Sequence, residues 1–259
     1  MNKVNKHGLS RYIEEPIKRE IRRRCGFGCV VCGFPVITYH HFFPTFEKAA
    51  THDPDGITLL CYTCHQKTFG NNPPFDADFI NKKNSNPKCK TTGEIKSKFY
   101  IGFEPVNFNL GPIILTKTLN ILKYHNEVLI GFSKNDDHSA PFVLNAKLFD
   151  RTGKKFLEIT NNEWVAGIEQ FDIQIKGGIL KIISRPHSVL LQLRHVAEKV
   201  ISIDKLDLSY QGYRLEISKN ELIASHVLEG QRWIGGKVTL INGCIQLQPF
   251  SIEHDHFTK

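Results

Sequence analysis

Long hydrophobic runs are absent from this 259-residue chain: the ~18 consecutive apolar residues that a membrane-spanning helix requires occur nowhere. An apolar stretch is also absent from the first 24 residues, MNKVNKHGLSRYIEEPIKREIRRR, which are polar and basic. The chain therefore reads as one without a secretory signal, in a reducing, cytoplasmic compartment where its seven cysteines stay thiols. Residues 99–259 lack a paired-carboxylate motif, a phosphate-binding glycine loop and a nucleophile elbow, so chemistry is expected in the first part of the chain. An apolar fraction of 41% suffices for a buried core, in one large domain or two ordinary ones.

What is present is concentrated between Cys29 and Gly70. Cys29-x-x-Cys32 and Cys61-x-x-Cys64 enclose 28 residues, the spacing of a four-thiolate zinc site. Two disulfides are the bland alternative, which that spacing disfavours. Beside the pairs stand His40, His41, His52 and His65, for which a zinc already held by four sulfurs has no room. Charge is uneven too: residues 1–98 hold 16 Lys/Arg against 9 Asp/Glu, and residues 99–259 hold 18 against 17. A basic first part suits a polyanion-binding face.

Residues 1–13 read as a loose arm. A helix is expected from Glu14-Glu15-Pro16 to the Arg22-Arg23-Arg24 run, stopped by Gly26 and Gly28. Its Lys18, Arg22, Arg23 and Arg24 are candidate phosphate contacts; the alternative is a solvated helix end. Val36–Tyr39 reads as a short strand delivering His40 and His41, and Ile57–Leu60 as a second strand after the Asp53-Pro54-Asp55-Gly56 turn. About two helical turns are expected from Cys61 to Phe69, closed by Gly70.

This order of elements resembles the zinc-bearing, four-cysteine branch of the HNH nucleases, the ββα-metal or His-Me finger family, over roughly residues 12–70. The likeness is carried by Cys-x-x-Cys, a strand ending in histidine, and Cys61-x-x-Cys64-His65-x-Lys67. The resemblance implies a structural Zn²⁺ on Cys29, Cys32, Cys61 and Cys64. It implies His41 as general base on the attacking water, and His40 and His65 as ligands of a catalytic divalent cation. Two imidazoles favour Mn²⁺ or Ni²⁺ over Mg²⁺. The family's middle Asn is replaced by Gly56; His52, Asp55 or Thr58 are the candidates to support His41 in its place. Lys67 joins the nucleic-acid-binding set. The implied activity is metal-dependent endonucleolytic hydrolysis of nucleic acid, DNA foremost, in the manner of an effector subunit of a bacterial defence complex. A second reading is a non-catalytic zinc-ribbon module that binds nucleic acid or is purely structural.

The expected architecture is α+β: residues 1–98 as a small zinc-stabilised ββα-metal domain with a Pro/Asn-rich linker, and residues 99–259 as a β-rich sandwich, barrel or stacked-hairpin domain. Within 71–98, a short helix is expected near Asp76–Lys82, and Cys89 reads as an incidental loop thiol. In the second part, alternating runs flank Gly177-Gly178, Gln211-Gly212 and Asn242-Gly243, the last being the strongest hairpin signal. That part is expected to bind a protein partner or to form a homo-oligomer, with Trp164 and Trp233 as core aromatics or interface anchors.

Overall fold

Pro16 in the first turn, Glu15 beside it and three arginines in the last turn set the direction of α1 (Glu15–Arg24). Its end is a Schellman motif: the Phe27 N–H reaches Arg22 O at 2.7 Å and the Gly26 N–H reaches Arg23 O at 3.3 Å, with Gly26 at φ +69. That left-handed turn aims the chain at the first cysteine pair. The computed structural model describes residues 4–101, 107–134, 142–196, 200–226, 232–236, 238–241, 243–247 and 250–254. Across them the fold is mixed α+β and rich in strand.

Two compact units divide the chain: Met1–Lys96 with Gly167–Ile173, and Ser97–Ala166 with Gln174–Lys259. The first unit is built on an antiparallel pair, β1 (Thr38–His41) and β2 (Ile57–Leu60), followed by α2 (Tyr62–Gln66), α3 (Ala77–Ser85) and α4 (Lys88–Thr92). Its core gathers Ile21, Val30, Ile57, Leu59, Leu60 and Ile80 around the cysteines. β1 starts at Thr38 rather than Val36, because its partner β2 is four residues long and ends where Cys61 caps α2. The helix after Cys61 is likewise one short turn rather than two, with Lys67 already its cap.

Three expectations about this unit are corrected. The N-terminal arm is fastened: Asn5 Nδ2 donates to Phe46 O at 2.6 Å and to Ala49 O at 2.7 Å. Cys89 is no loop thiol. It lies in α4, 2% exposed, against Gly28 and Gly33, where any Cβ would crowd its sulfur. Burial raises its pKa to about 11, so it stays a protonated apolar filler.

The third correction concerns Arg22, expected to face phosphates. It is 5% exposed and turned inward. Its Nε donates to Asp172 Oδ1 at 2.8 Å, Nη2 to Asp172 Oδ2 at 2.6 Å, Nη1 to Tyr39 Oη at 2.6 Å, and Nη2 also to Glu15. Burial alone would favour loss of the proton, but Asp172 outweighs it and holds the guanidinium charged. Asp172 belongs to the segment Gly167–Ile173, whose Phe171 ring also receives Arg19 at 4.9 Å and Arg23 at 5.8 Å. No local sequence signal joins residue 22 to residue 172.

The remaining strands form two sheets. In the eight-stranded one, a meander from Asn120–Tyr124 to Glu163–Gly167 is flanked by Gly243–Leu247 and Phe250–His254 on one side and by β3 (Glu94–Lys98) on the other. In the ten-stranded one, seven sequential strands run from Asp172–Lys176 to Arg232–Gly235, with Asn107–Leu110, Ile113–Thr116 and Val238–Ile241 beside them. Gly177 and Gly178, and Gln211 and Gly212, take the positive φ that tight hairpins need. The signal at Asn242-Gly243 misleads: Val238–Ile241 pairs in parallel with Ile113–Thr116, while Gly243–Leu247 joins the other sheet. Asn242 itself lies outside the described residues. Trp164 is core, 3% exposed, and Trp233 is half-buried over Gly235.

Asp172→Ala should destabilise the first unit by about 3–5 kcal/mol in urea denaturation, since it strands a buried guanidinium. Arg22→Met combined with Asp172→Leu should recover most of that loss; equal losses in the single and double variants would show that the charge pair is not what holds the segment.

Candidate metal centre and histidine pairs

The two cysteine pairs are each shaped by backbone hydrogen bonds. In the first, Cys29 N–H donates to Phe34 O at 2.9 Å and Gly33 N–H to Cys29 O at 2.8 Å, with Gly33 at φ +81. In the second, Cys61 caps α2 and its sulfur accepts from the Cys64 N–H at 3.4 Å. A bond from Val30 N–H to Leu59 O at 3.0 Å ties one turn to the strand that feeds the other. All four sulfurs lie within 4.8 Å of one another, with Cys32 and Cys61 at 3.6 Å. That spacing suits a tetrahedral metal such as zinc, bound at ~2.3 Å per sulfur.

The electrostatics fit a cation as well. Burial and the neighbouring Cys29 raise Cys32 to about 11 and raise Cys64 further still, while the Cys64 N–H draws Cys61 down against its own burial. Four thiolates this close repel, and a divalent ion at their centre removes the conflict. Among the described residues, this is the one group of three or more such side chains placed to hold a metal ion.

The histidines sit on β1, where successive side chains leave on opposite faces. His40 is registered with Thr58, and His41 with Ile57. His40 meets His65, the residue after Cys64, with ring centroids 5.0 Å apart and planes at 77°. Burial, then His65 and His41, lower His40 to about 4; burial lowers His65 as well. Both imidazoles are thus kept neutral with lone pairs available, as metal ligands must be.

His41 turns to the loop between the strands. Its Nε2 lies 3.1 Å from His52 Nδ1, and its ring meets Phe46 at 5.4 Å, on which the Arg11 guanidinium sits at 4.3 Å. Burial, then His52 and Arg11, lower His41 to about 4. His52 Nε2 is buried without a hydrogen-bond partner among the described residues. Of the three candidates for support, His52 lies within hydrogen-bond distance of His41. Asp55 is exposed and paired with Arg24 at 2.9 Å, and the Thr58 hydroxyl donates to Asn84 at 2.8 Å.

Position 56 cannot carry a side chain. A Cβ there would stand 2.0 Å from Phe43 O, and Phe42 N–H and Phe43 N–H both donate to Gly56 O, at 3.0 and 3.3 Å. The loop is closed here by its own backbone.

Among the proposed phosphate contacts, Arg23 is exposed, Lys18 is half-buried over the Tyr12 ring at 4.9 Å, and Lys67 is exposed over the Phe75 ring at 5.2 Å. Arg24 is engaged by Asp55 and by Ile57 O, and Arg22 is internal. The triple-arginine run is therefore mostly structural. Sequence reasoning missed Asn5, Arg11 and Phe46, which lie in stretches without periodicity.

Purified protein should carry one zinc per chain by metal analysis, and Cys61→Ser should lose it and unfold the first unit while leaving the second unit's β-structure by circular dichroism. Gly56→Asn should lower thermal stability markedly despite matching the resembled pattern; a variant as stable as the parent would mean the loop can open at Phe43.

No protein-family model, curated protein or solved structure matches this chain.

Proposed function

We propose that the first unit is a metal-dependent nuclease of the HNH kind, hydrolysing nucleic-acid phosphodiesters, DNA foremost. The observation that carries this reading is the pair of histidine contacts on one strand: His40 beside His65 next to the cysteine cluster, and His41 held by His52. In this reading the cysteine cluster is a structural zinc site, and β1, β2 and α2 form a ββα-metal unit.

His40 and His65 would hold the catalytic divalent cation. When bound, such an ion supplies positive charge against the developing phosphorane and leaving oxygen. His41 is the general base. With Nε2–H donating to His52 Nδ1, the lone pair lies on Nδ1, where it takes the proton of the attacking water, a step worth about 10²–10⁴ in rate. Its neutral state near pH 7 leaves that lone pair free. His52 fixes the tautomer and ring orientation that the resembled family assigns to an asparagine. Arg23, Lys18 and Lys67 attract the phosphate backbone. The second unit serves a protein partner or self-association, as in an effector of a bacterial defence complex.

The rival is a zinc module without chemistry, which Gly56 favours because the usual asparagine is barred there. Incubation with plasmid, single-stranded DNA and RNA across Mg²⁺, Mn²⁺ and Ni²⁺ separates the two. Cleavage should be faster with Mn²⁺ or Ni²⁺ than with Mg²⁺ at equal concentration. His41→Ala should abolish it with zinc content intact, and His40→Asp should keep part of it and shift preference toward Mg²⁺. If Mg²⁺ is the better cofactor and His40→Ala changes nothing, His40 is no ligand. His52→Phe should lower kcat by about 10²-fold or more at unchanged KM, with His52→Asn restoring most of it; equal kcat in both variants would remove His52 from the site.

A further inference from the structure

The chain after α2 doubles back on itself. Thr68 Oγ1 donates to His65 O at 2.8 Å, Gly70 takes φ +109, and after Pro73-Pro74 the Phe75 N–H returns to Lys67 O at 3.1 Å. This closed loop holds Phe69 outward, 56% exposed, with its ring against His65 at 4.9 Å and 83°. His40, His65 and Phe69 thus form an edge-to-face series of rings that begins at the proposed cation ligands and ends at the surface.

Beyond the loop, Phe75 and Phe79 lie nearly parallel, 4.4 Å apart at 17°, half-buried on the unit's core. Lys67 Nζ sits 5.2 Å from the Phe75 ring, and Lys83 Nζ sits 5.6 Å from the Phe79 ring. Among the described residues, neither ammonium takes part in an ion pair. Two acids lie between the rings in sequence: Asp76 caps α3 through the Phe79 N–H at 2.8 Å, and Asp78 is exposed in the first turn of that helix.

We propose that Phe69, Phe75 and Phe79, interleaved with Lys67 and Lys83, form a stacking track for single-stranded nucleic acid that leads to His40 and His65. One exposed ring and two half-buried ones, alternating with cations that make no ion pair among the described residues, offer unpaired bases and their phosphates what they require; a duplex keeps its base faces covered. The ammoniums swing from the rings to the phosphates as bases take their place. The proposal rests on the nuclease reading for its direction toward the histidines, and it specifies a substrate class: strands whose bases are unpaired, DNA or RNA.

The test is binding, measured by fluorescence anisotropy on the full zinc-loaded chain carrying His41→Ala, which keeps substrate whole. Labelled 20-nucleotide single strands of DNA and of RNA and the corresponding DNA duplex are titrated in parallel. Single strands of either sugar should bind at least about tenfold more tightly than the duplex. Phe69→Ala should weaken single-strand binding about fivefold or more, leave duplex binding unchanged, and be rescued by Phe69→Tyr. Lys67→Gln with Lys83→Gln should reduce the salt slope by about 1.4. Equal affinity for duplex and single strand, no effect of Phe69→Ala, or no binding at all overturns the track. Failure of the nuclease reading shows separately: no metal-dependent cleavage of any substrate by the unaltered protein, whatever it binds.

Discussion

Four sulfurs within 4.8 Å of one another are the constraint on which the first unit depends. The strands it joins are four residues each and the helix after them is five. Elements that short cannot hold their geometry through their own hydrogen bonds. The cysteine turns supply it instead, because each sulfur's position fixes the chain on either side. Cys61 caps α2, Cys64 precedes His65, and Val30 is bonded to Leu59. Any displacement of one cysteine turn is passed within a few residues to a histidine.

β1 then uses the period of an extended chain to separate two tasks. Adjacent residues on a strand face opposite ways, so tandem histidines are delivered to different surroundings with no loop between them. His40 meets an imidazole from α2; His41 meets one from the connecting loop. Arg22 reaches the same strand from within by donating to Tyr39, one residue before the pair. The strand is thereby held from the cysteine side, from the loop and from α1.

What could be read from the sequence was whatever is encoded locally. Pro16, the arginine run and Gly26 announce α1 and its end, the cysteine spacing announces the cluster, and Gly177-Gly178 announces its hairpin, because in each case the physical cause lies within a few residues. The misreadings share the opposite property. Arg22 looked exposed because its one local acidic partner, Glu15, is itself exposed, and the buried carboxylate that takes it inward is 150 residues away. That position 56 cannot carry a side chain was likewise hidden, because the carbonyl that excludes one belongs to Phe43, across the loop. Asn242-Gly243 looked like the best hairpin because turn chemistry is local, while the choice between two sheets is made by distant strands. His52 was one of three candidates for supporting His41, and spacing could not choose among them.

The Arg22 contact also sets an order of events during synthesis. Its buried carboxylate partner is made 150 residues later, so at roughly 5–20 residues per second the nascent first unit waits about 8–30 s with a guanidinium that has only the exposed Glu15 to pair with. Until the segment ending at Ile173 has emerged, the guanidinium that bonds Tyr39, on the strand that carries His40 and His41, lacks the two Asp172 bonds that hold it. Most of the second unit's eight-stranded sheet is translated in that interval. The histidine strand is therefore completed late, by a piece of chain that arrives only after six of that sheet's eight strands have been made.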